Sequence, residues 1–357
     1  VHRQVLLMIT GARSTTPSLA LNELLSLNPL SIELKKRALL CCNRLKAQEN
    51  WNVEKRQHHG HLDIEKLLSK LGKSDLAPHS DITENFFEIS IDDWFDPEQE
   101  LELREKVEDE WFVDGSVNRD SAGIGIFNCN KFGAKTEISI PVTKTCTPSQ
   151  AEMKAIEIWA EKCIEDNVTG QRLTLFSDSR SALIELKKKY TDKRTTEMCN
   201  KTLNKLGAKN QIKLTWIRKN SMEGNSKADE LAKLAEDRTT RIVEVPLAQK
   251  LFKNKIDEYL EHIRKTKWKE WGSRKKPHAV DFIKDMNIKK SKILINMKKN
   301  DLRDYVSCAT GHGKDKYRLN MIFELGSLTC RLCGEDTEDM RHLILNCSVL
   351  DDERENI

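Results

Sequence analysis

The sequence predicts an α/β fold in the middle of a chain of 357 residues. Three short runs that alternate apolar and polar residues come first, with Gly and Asn between them, which is typical of an antiparallel meander. Segments with helical periodicity then alternate with short apolar segments, which favours strands separated by helices. We therefore expect a five-stranded mixed sheet with flanking helices over residues 108–240.

Each element of this fold is predicted from its own local pattern. The predicted strands are Glu110–Ser116, Gly123–Cys129, Thr136–Val142, Arg172–Ser177 and Ile212–Ile217. The predicted helices are Ala151–Ile164, Ser179–Lys189, Thr195–Leu206 and Asn225–Glu236. Pro148 stands just before the first of these helices, where a missing amide hydrogen is tolerated.

The flanking regions predict four further segments. Residues 1–72 carry apolar residues at helical spacing and are expected to form a helical segment. Residues 73–107 are expected to be an acidic linker with one strand at Phe86–Ile91. Residues 241–320 are predicted to be a basic helical connection, and residues 321–350 a small Cys/His module.

Charge is unevenly distributed, although the whole chain has a net charge of only +4. Residues 81–110 contain 13 acidic and 2 basic residues, whereas residues 250–318 contain 20 basic and 9 acidic residues. A basic block suits a polyanion, so we expect nucleic-acid binding through residues 250–318, although a solvated helix face has the same composition. Trp268 and Trp271 lie within this block, where they could stack on bases or cover the buried face of a helix.

Composition also excludes some classes of protein. No apolar stretch is long enough to cross a bilayer, and no secretory signal is present, so we expect an intracellular protein of the cytoplasm or nucleus. Ten cysteines in 357 residues are too few for a disulfide scaffold and predict reduced thiols or a metal site. The first residue is Val1 rather than Met, which predicts a piece of a longer polypeptide.

Four acidic residues occupy notable places in the predicted α/β region: Asp114, Glu152, Asp178 and Asp229. Asp114 lies within the first strand, where an unpaired carboxylate is costly to bury. Asp178 follows the fourth strand, while Glu152 and Asp229 lie near the starts of helices, where the helix dipole alone could explain them. Carboxylates that converge in this way can hold two Mg²⁺ ions that clamp a phosphodiester.

At these residues the sequence resembles the type-1 ribonuclease H family. The matching motifs are Asp114-Gly-Ser116, Ala151-Glu152, Ser177-Asp178-Ser179, and the stretch from Trp216 to Ala232 that contains Glu-Gly-Asn. The resemblance implies a hydrolase that cuts the RNA strand of RNA–DNA hybrids. It also implies a cofactor of two Mg²⁺ (or Mn²⁺) ions bound by the four catalytic carboxylates, with Asp114 shared by both ions.

The same resemblance suggests nucleic-acid contacts and reveals one departure. Residues beside the carboxylates that could touch 2′-hydroxyls or phosphates are Ser116, Ser149, Gln150 and Ser179. The family commonly has a histidine in the loop before the last helix, but residues 218–222 contain none, and Asn220 stands near its usual place. This departure leaves open whether turnover is reduced.

The C-terminal cysteines have the spacing of a metal site. Cys330, Cys333, His342 and Cys347 form the pattern Cys-x2-Cys-x8-His-x4-Cys. Three thiolates and one imidazole can fill a tetrahedral zinc shell, which predicts one structural Zn²⁺. The alternative is three ordinary cysteines and a surface histidine.

This module belongs to a wider resemblance. Thr310-Gly-His-Gly313, Tyr317-Arg-Leu-Asn320 and the Cys/His pattern resemble the tail of non-LTR retrotransposon polyproteins of the jockey and I-element kind. The first 21 residues resemble the segment that follows the polymerase core of those polyproteins. The resemblance implies that the rest of a reverse transcriptase polyprotein is a partner.

Two alternatives remain at this stage. The chain could be a catalytically impaired nucleic-acid-binding segment of a degenerate retroelement, because the loop histidine is missing. A cellular ribonuclease H is disfavoured, because such enzymes are not expected to carry the flanking helices and the zinc module.

Overall fold

The structure is a computed structural model of the whole chain. It describes residues 1–51, 59–81, 85–91, 109–130, 133–236, 242–275, 278–284, 286–324 and 326–356. Much of the predicted acidic linker, including residues 92–107, lies outside the described residues.

Helices and strands alternate along most of the described chain. The helices are α1 (His2–Thr10), α2 (Ser18–Leu24), α3 (Leu30–Ala47), α4 (His59–Leu71), α5 (Pro148–Glu165), α6 (Arg180–Leu186), α7 (Arg194–Gly207), α8 (Glu223–Glu236), α9 (Gln249–Lys275), α10 (His278–Phe282), α11 (Ile288–Ile295), α12 (Lys299–Thr310), α13 (Lys316–Phe323) and α14 (Asp351–Glu355). The strands are β1 (Leu76–Asp81), β2 (Phe87–Ser90), β3 (Asp109–Val117), β4 (Ala122–Asn130), β5 (Lys135–Pro141), β6 (Arg172–Ser177), β7 (Tyr190–Lys193) and β8 (Gln211–Trp216).

These elements form two compact units. One unit consists of residues 38–256, and the other combines residues 1–37 with residues 257–357. The sequence predicts five consecutive segments, whereas one of these units combines both ends of the chain. The boundaries of the five segments therefore stay predictions. None of the helices in the described part of the chain combines the length and the apolarity needed to cross a lipid bilayer.

The unit of residues 38–256 contains a six-stranded mixed sheet in the order β2-β8-β6-β3-β4-β5. The meander β3-β4-β5 is antiparallel, and β6 and β8 continue the sheet in parallel with β3, as the sequence predicts. The sheet has one strand more than predicted, because β2 pairs in parallel with β8 from Phe87↔Ile212 to Ser90↔Thr215. This strand confirms the one predicted at Phe86–Ile91. A separate pair, β1 with β7, is antiparallel.

One face of the sheet is closed by α5 and α7. The core there is built from strand residues such as Ile124, Ile126 and Leu175 and from helix residues such as Ile156 and Trp159, all of them at most 1% exposed. Their burial removes apolar surface from water and is the main stabilising contribution to this unit.

The opposite side of the sheet carries α8 at very close range. A Cβ atom added to Gly125 of β4 would lie only 2.0 Å from the carbonyl oxygen of Ala228, and one added to Gly123 only 2.3 Å from that of Ala232. Strand positions without side chains therefore let the helix backbone approach the sheet.

The other unit is helical and has its own core. Leu6, Leu21, Leu294 and Val306 are among its buried residues. Inside it, Arg264 pairs with Glu23, and the side chains are 2% and 1% exposed. Two buried charges are tolerated here because each neutralises the other.

The two tryptophans of the basic block belong to this core. Trp268 is 8% exposed and packs with the buried residues, and its ring centroid lies 5.1 Å from that of Trp271. The prediction that Trp268 stacks on bases is therefore wrong. The alternative prediction, that Trp268 covers the buried face of a helix, is confirmed. The reason is that the lysines of α9 occupy the exposed positions between the apolar ones.

The Thr-Gly-His-Gly motif also has a packing role in this unit. His312 is buried, and its Nδ1 lies 3.1 Å from Thr15 Oγ1 in the segment after α1. Gly311 has φ of +69°, and a Cβ atom there would lie 2.7 Å from His278. Glycine is required because both the backbone angle and the space exclude a side chain.

Candidate active site

The first two carboxylates are brought together by the register of the sheet. β3 and β6 are parallel neighbours, and Val113 pairs with Ser177. Asp114 follows Val113 in β3, and Asp178 follows Ser177 at the end of β6. The two aspartates therefore lie at the same edge of the sheet. Asp114 is 3% exposed, whereas Asp178 is half-buried.

Glu152 reaches this edge because α5 crosses β3 at a glycine. A Cβ atom on Gly115 would lie 2.6 Å from the backbone nitrogen of Glu152. The helix start is fixed by a capping box, in which Thr147 Oγ1 accepts from the Gln150 amide and Gln150 Oε1 accepts from the Thr147 amide. The cap and the glycine together set where Glu152 stands.

Asp114, Glu152 and Asp178 form a compact acidic cluster. One carboxylate oxygen from each lies within 4.8 Å of the others. Burial, with the nearby negative charge of Asp178, raises the pKa of Asp114 to about 6. Burial also raises the pKa of Glu152 well above its usual range, and Asp114 and Asp178 add to this shift. Such like-charge carboxylates are stable together only when protonated or when a cation is bound.

Asp229 joins this site from α8. Asp114 pairs with Gly125 across β3 and β4, and Gly125 contacts the backbone of Ala228. Burial opposes ionisation of Asp229, but a hydrogen bond and the charge of Lys233, together with Lys219, lower its pKa. The Lys233 Nζ is 2.5 Å from Asp229 Oδ2, and the Lys219 Nζ is 3.9 Å from Oδ1.

The structure corrects one part of the prediction for Asp229. The residue lies in the middle of α8 rather than near its start, because the helix begins at Glu223. The helix dipole acts mainly within the first turn, so it does not explain this carboxylate. Asp229 also stands outside the cluster of three within 4.8 Å.

Two residues that the sequence reasoning left without a role hold the cluster in place. Asn225 is fully buried, and its Nδ2 donates to Asp178 Oδ2 at 3.3 Å. Ser177 Oγ lies 3.5 Å from Glu152 Oε2 and accepts from the Ser179 amide at 3.1 Å. Both residues stand inside the motifs quoted above, which was the signal available in the sequence.

The residues predicted to contact nucleic acid differ in their exposure and in their hydrogen bonds. Ser116 and Ser149 are half-buried, Ser179 precedes α6, and Asn220 is exposed with φ of +58°. Gln150 is buried, and its Nε2 donates to Asp75 Oδ2 and to the Pro246 carbonyl oxygen, each at 2.9 Å. Because both ends of its amide are used inside the protein, the contact predicted for Gln150 is not supported.

The carboxylate cluster fits a divalent cation. Its buried members raise each other's pKa, and oxygen ligands of this kind are those that Mg²⁺ prefers. Among the described residues, the two lysines near the site, Lys233 and Lys219, form ion pairs with Asp229 rather than with the three clustered carboxylates. These ion pairs therefore leave the negative charge of the cluster uncompensated.

The four predicted zinc ligands are also brought together. Ligand atoms of Cys330, Cys333, His342 and Cys347 all lie within 4.8 Å of one another. The Cys333 Sγ is 3.3 Å from His342 Nε2, and the Cys330 and Cys347 sulfurs are 3.9 Å apart. Backbone amides of Glu335 and Asp336 lower the pKa of Cys333 to about 6, which favours the thiolate that Zn²⁺ binds.

The surroundings of this Cys/His cluster fix its shape. Glu338 is 1% exposed and accepts from the amides of Lys316 and Arg331 at 3.0 and 2.8 Å. Asp339 Oδ1 accepts from the His342 amide at 2.6 Å. Cys308 and His312 lie outside the cluster, as expected from the sequence.

The fold and the site together define a class of protein, an α/β domain with a cluster of carboxylates at the edge of a mixed sheet. Residues 106–236 match the RNase H family model. The chain therefore contains a ribonuclease H domain over these residues, which supports ribonuclease activity. Enzymes of that family use divalent metal ions and bind RNA–DNA hybrids.

Solved structures give a further comparison. The chain is similar to a ribonuclease H1 from the halophilic archaeon Halobacterium salinarum, with 19% identity and a TM-score of 0.31, over 36% of this chain and 96% of that one. No curated protein sequence matches the chain.

Proposed function

We propose that this chain hydrolyses the RNA strand of RNA–DNA hybrids by a two-metal mechanism, as part of a retrotransposon reverse transcriptase polyprotein. The observation that carries the proposal is the cluster of Asp114, Glu152 and Asp178 inside a ribonuclease H domain. Asp229 would complete the set of catalytic and Mg²⁺-binding residues from α8.

The residues of the site have separate tasks in this mechanism. Bound Mg²⁺ or Mn²⁺ supplies positive charge to the phosphodiester and lowers the pKa of water. Asp114 of β3 interacts with Glu152, Asp178 and Asp229 and would contribute to both ion sites. Asn225 orients the Asp178 carboxylate through its 3.3 Å hydrogen bond, and Ser177 does the same for Glu152 at 3.5 Å.

The ion pairs of Asp229 suggest how the site is kept stable without metal. Lys233 and Lys219 neutralise Asp229, which leaves the three clustered carboxylates to be neutralised by protons or by cations. Preorganised ligands of this kind lower the reorganisation that the reaction requires. Products with 5′-phosphate and 3′-hydroxyl ends are expected from the family resemblance.

The retrotransposon context is the wider part of the proposal. It is supported by the order of motifs along the chain and by the Cys/His cluster, which would hold one structural Zn²⁺ through Cys330, Cys333, His342 and Cys347. Nucleic acid would bind through the basic segment 250–318. All ten cysteines are free, which suits an intracellular protein.

Strand-specific cleavage tests the proposal. An RNA–DNA hybrid is labelled on each strand in turn and incubated with the full chain in Mg²⁺ or Mn²⁺, beside single-stranded RNA and duplex DNA. We expect cleavage of the RNA strand of the hybrid alone, with 3′-hydroxyl ends that a polymerase can extend. Equal cleavage of single-stranded RNA or of the DNA strand would contradict the proposal.

The catalytically impaired alternative gives a different result. The loop of residues 218–222 has no histidine, which favours slower turnover. Hybrid binding without cleavage in either metal would support that alternative. The polyprotein context is tested by sequencing the native transcript, since a reading frame that lacks a polymerase domain upstream would contradict it.

A further inference from the structure

Helix α11 and the turn that follows it expose several large apolar side chains. Only Ser291 and Leu294 of α11 are buried. Four neighbouring apolar side chains are exposed: Ile288, Ile293, Ile295 and Met297. Exposed apolar side chains that cluster in this way indicate a contact surface.

The same surface carries uncompensated positive charge. Five lysines are exposed between Asn287 and Asn300, namely Lys289, Lys290, Lys292, Lys298 and Lys299, and no acidic residue lies in this stretch. None of the five forms an ion pair with a described residue, whereas many other surface lysines do, as Lys162 does with Asp166 and Lys201 with Glu197. Lys290 lies over the Tyr305 ring at 5.5 Å.

The surface is held firmly on the fold. The Asn287 side chain caps α11 by accepting from the Lys290 amide at 3.0 Å. Leu294 of α11 and Leu302 of α12 are 2% and 3% exposed and belong to the same core. The lysines are therefore presented on two packed helices and the turn between them.

The arrangement around α11 distinguishes the possible partners. At about 100° per residue, the exposed arc of the helix runs through Ile295, Ile288, Lys292, Lys289, Ile293 and Lys290 in that order. Basic and apolar side chains are therefore interspersed around the exposed arc of the helix. A helix that lies on a lipid surface separates them into two faces, which is not the case here.

We propose that residues 287–300 form a nucleic-acid-binding surface, which we call the lysine surface. It binds the sugar–phosphate backbone of an RNA–DNA duplex outside the cleavage site. The lysines would neutralise phosphates, and the isoleucines and Met297 would pack against sugars and groove walls. The choice of a hybrid as partner rests on the proposed function, and the proposal narrows the basic segment 250–318 to these residues.

Binding of a labelled RNA–DNA hybrid to the full chain tests the lysine surface, in buffer without divalent metal and over a series of salt concentrations. The variant is the triple change Lys289→Gln, Lys290→Gln and Lys292→Gln. The matched control is Lys66→Gln, Lys70→Gln and Lys73→Gln, three exposed lysines of α4 and of the turn after it, outside the segment 250–318. Circular dichroism checks that both variants are folded.

The expected result is a selective loss of affinity. With two to three phosphate contacts removed, the slope of log affinity against log salt should fall by roughly 2–3, and affinity at low salt should fall at least ~10-fold. The control should change affinity by about 2-fold or less. Equal losses in both triple variants, or no loss in either, would overturn the proposal.

Two further measurements separate the remaining explanations. The double variant Ile293→Ser and Ile295→Ser should weaken hybrid binding with little change in salt slope; unchanged affinity would remove the apolar contact from the proposal. If the lysine variant loses binding to vesicles with phosphatidylserine but keeps hybrid binding, the surface is a lipid site and the proposal is wrong. If the wild-type chain binds the hybrid but does not cleave it, and the lysine variant selectively loses that binding, the lysine surface is established while the proposed function fails.

Discussion

At the scale of single residues, Asp114 is placed where it opposes the stability of the metal-free fold. It is 3% exposed beside two other carboxylates, and its pKa is raised from 3.8 to about 6. A folded-state pKa above the unfolded one means that the folded state binds the proton more tightly. The free energy of unfolding therefore falls as the pH rises from about 4 through about 6.

This predicts that Asp114→Asn stabilises the protein when no divalent metal is present. At pH 7.5 we expect the melting temperature of the metal-free protein to rise by about 2–8 °C, and the difference to vanish near pH 4. Mg²⁺ should stabilise the wild type but not the variant. A metal-free variant that melts below the wild type at pH 7.5 would contradict the account of this carboxylate.

Residue-scale positions were partly accessible from the sequence. Asp114 could be identified because an acidic residue within an apolar strand needs an explanation. The role of Gln150 could not, because its partner Asp75 lies 75 residues away and both are buried. A local sequence pattern does not reveal which distant residue accepts a hydrogen bond from a side-chain amide.

At the scale of elements, the contact of α5 with β3 depends on Gly115. A side chain there would meet the backbone of Ala151 and Glu152 at 2.6–2.9 Å. We expect Gly115→Ala to push α5 away from the sheet, to lower the free energy of unfolding by about 1–3 kcal/mol and to reduce hybrid cleavage. Thermal unfolding and a cleavage assay measure both effects.

Glu137→Ala, at an exposed position of β5, serves as control, because it removes atoms rather than adding one. If Gly115→Ala cleaved and melted as the wild type does, the close approach would not determine the position of Glu152.

The Cys/His cluster is an element whose shape we expect to depend on metal. Residues 326–350 form short helical turns and a single β-bridge but no α-helix or longer strand, so bound Zn²⁺ would provide much of their folding free energy. Treatment with a zinc chelator, or Cys333→Ser, should increase amide hydrogen exchange in this segment by at least ~10-fold and leave β3–β8 unchanged. The free, exposed Cys129 provides the control variant Cys129→Ser.

Unchanged exchange after chelation, with no zinc found by elemental analysis, would leave the cluster as three ordinary cysteines and a histidine. A loss of protection throughout the ribonuclease H domain would show that the module is not a separate metal-dependent element.

Most elements were predictable because their patterns are local. The strand β6 was predicted at its observed bounds, and the other four within one residue at either end. The strand β2 was predicted, but its place in the sheet was not, because it pairs with β8 more than a hundred residues away. Trp268 was ambiguous because a charged helix face hides which side faces the core.

At the scale of the whole molecule, the two ends of the chain belong to one compact unit and the ribonuclease H domain to the other. The sequence predicted these regions in chain order, but contacts between α1 and α12 join residues about three hundred positions apart. Motif order indicates which domains are present, whereas packing between distant segments depends on complementary surfaces that a single sequence does not display.

The central claim is that the acidic cluster at the edge of the sheet is the centre of RNA-strand hydrolysis. The most direct test compares cleavage of a labelled RNA–DNA hybrid by the wild type, by Asp114→Asn and by Asp120→Asn, an exposed aspartate in the loop after β3. We expect Asp114→Asn to lose at least ~100-fold of the activity while keeping its fold and hybrid binding, and Asp120→Asn to cleave as the wild type does. Cleavage by Asp114→Asn near the wild-type rate would contradict the claim.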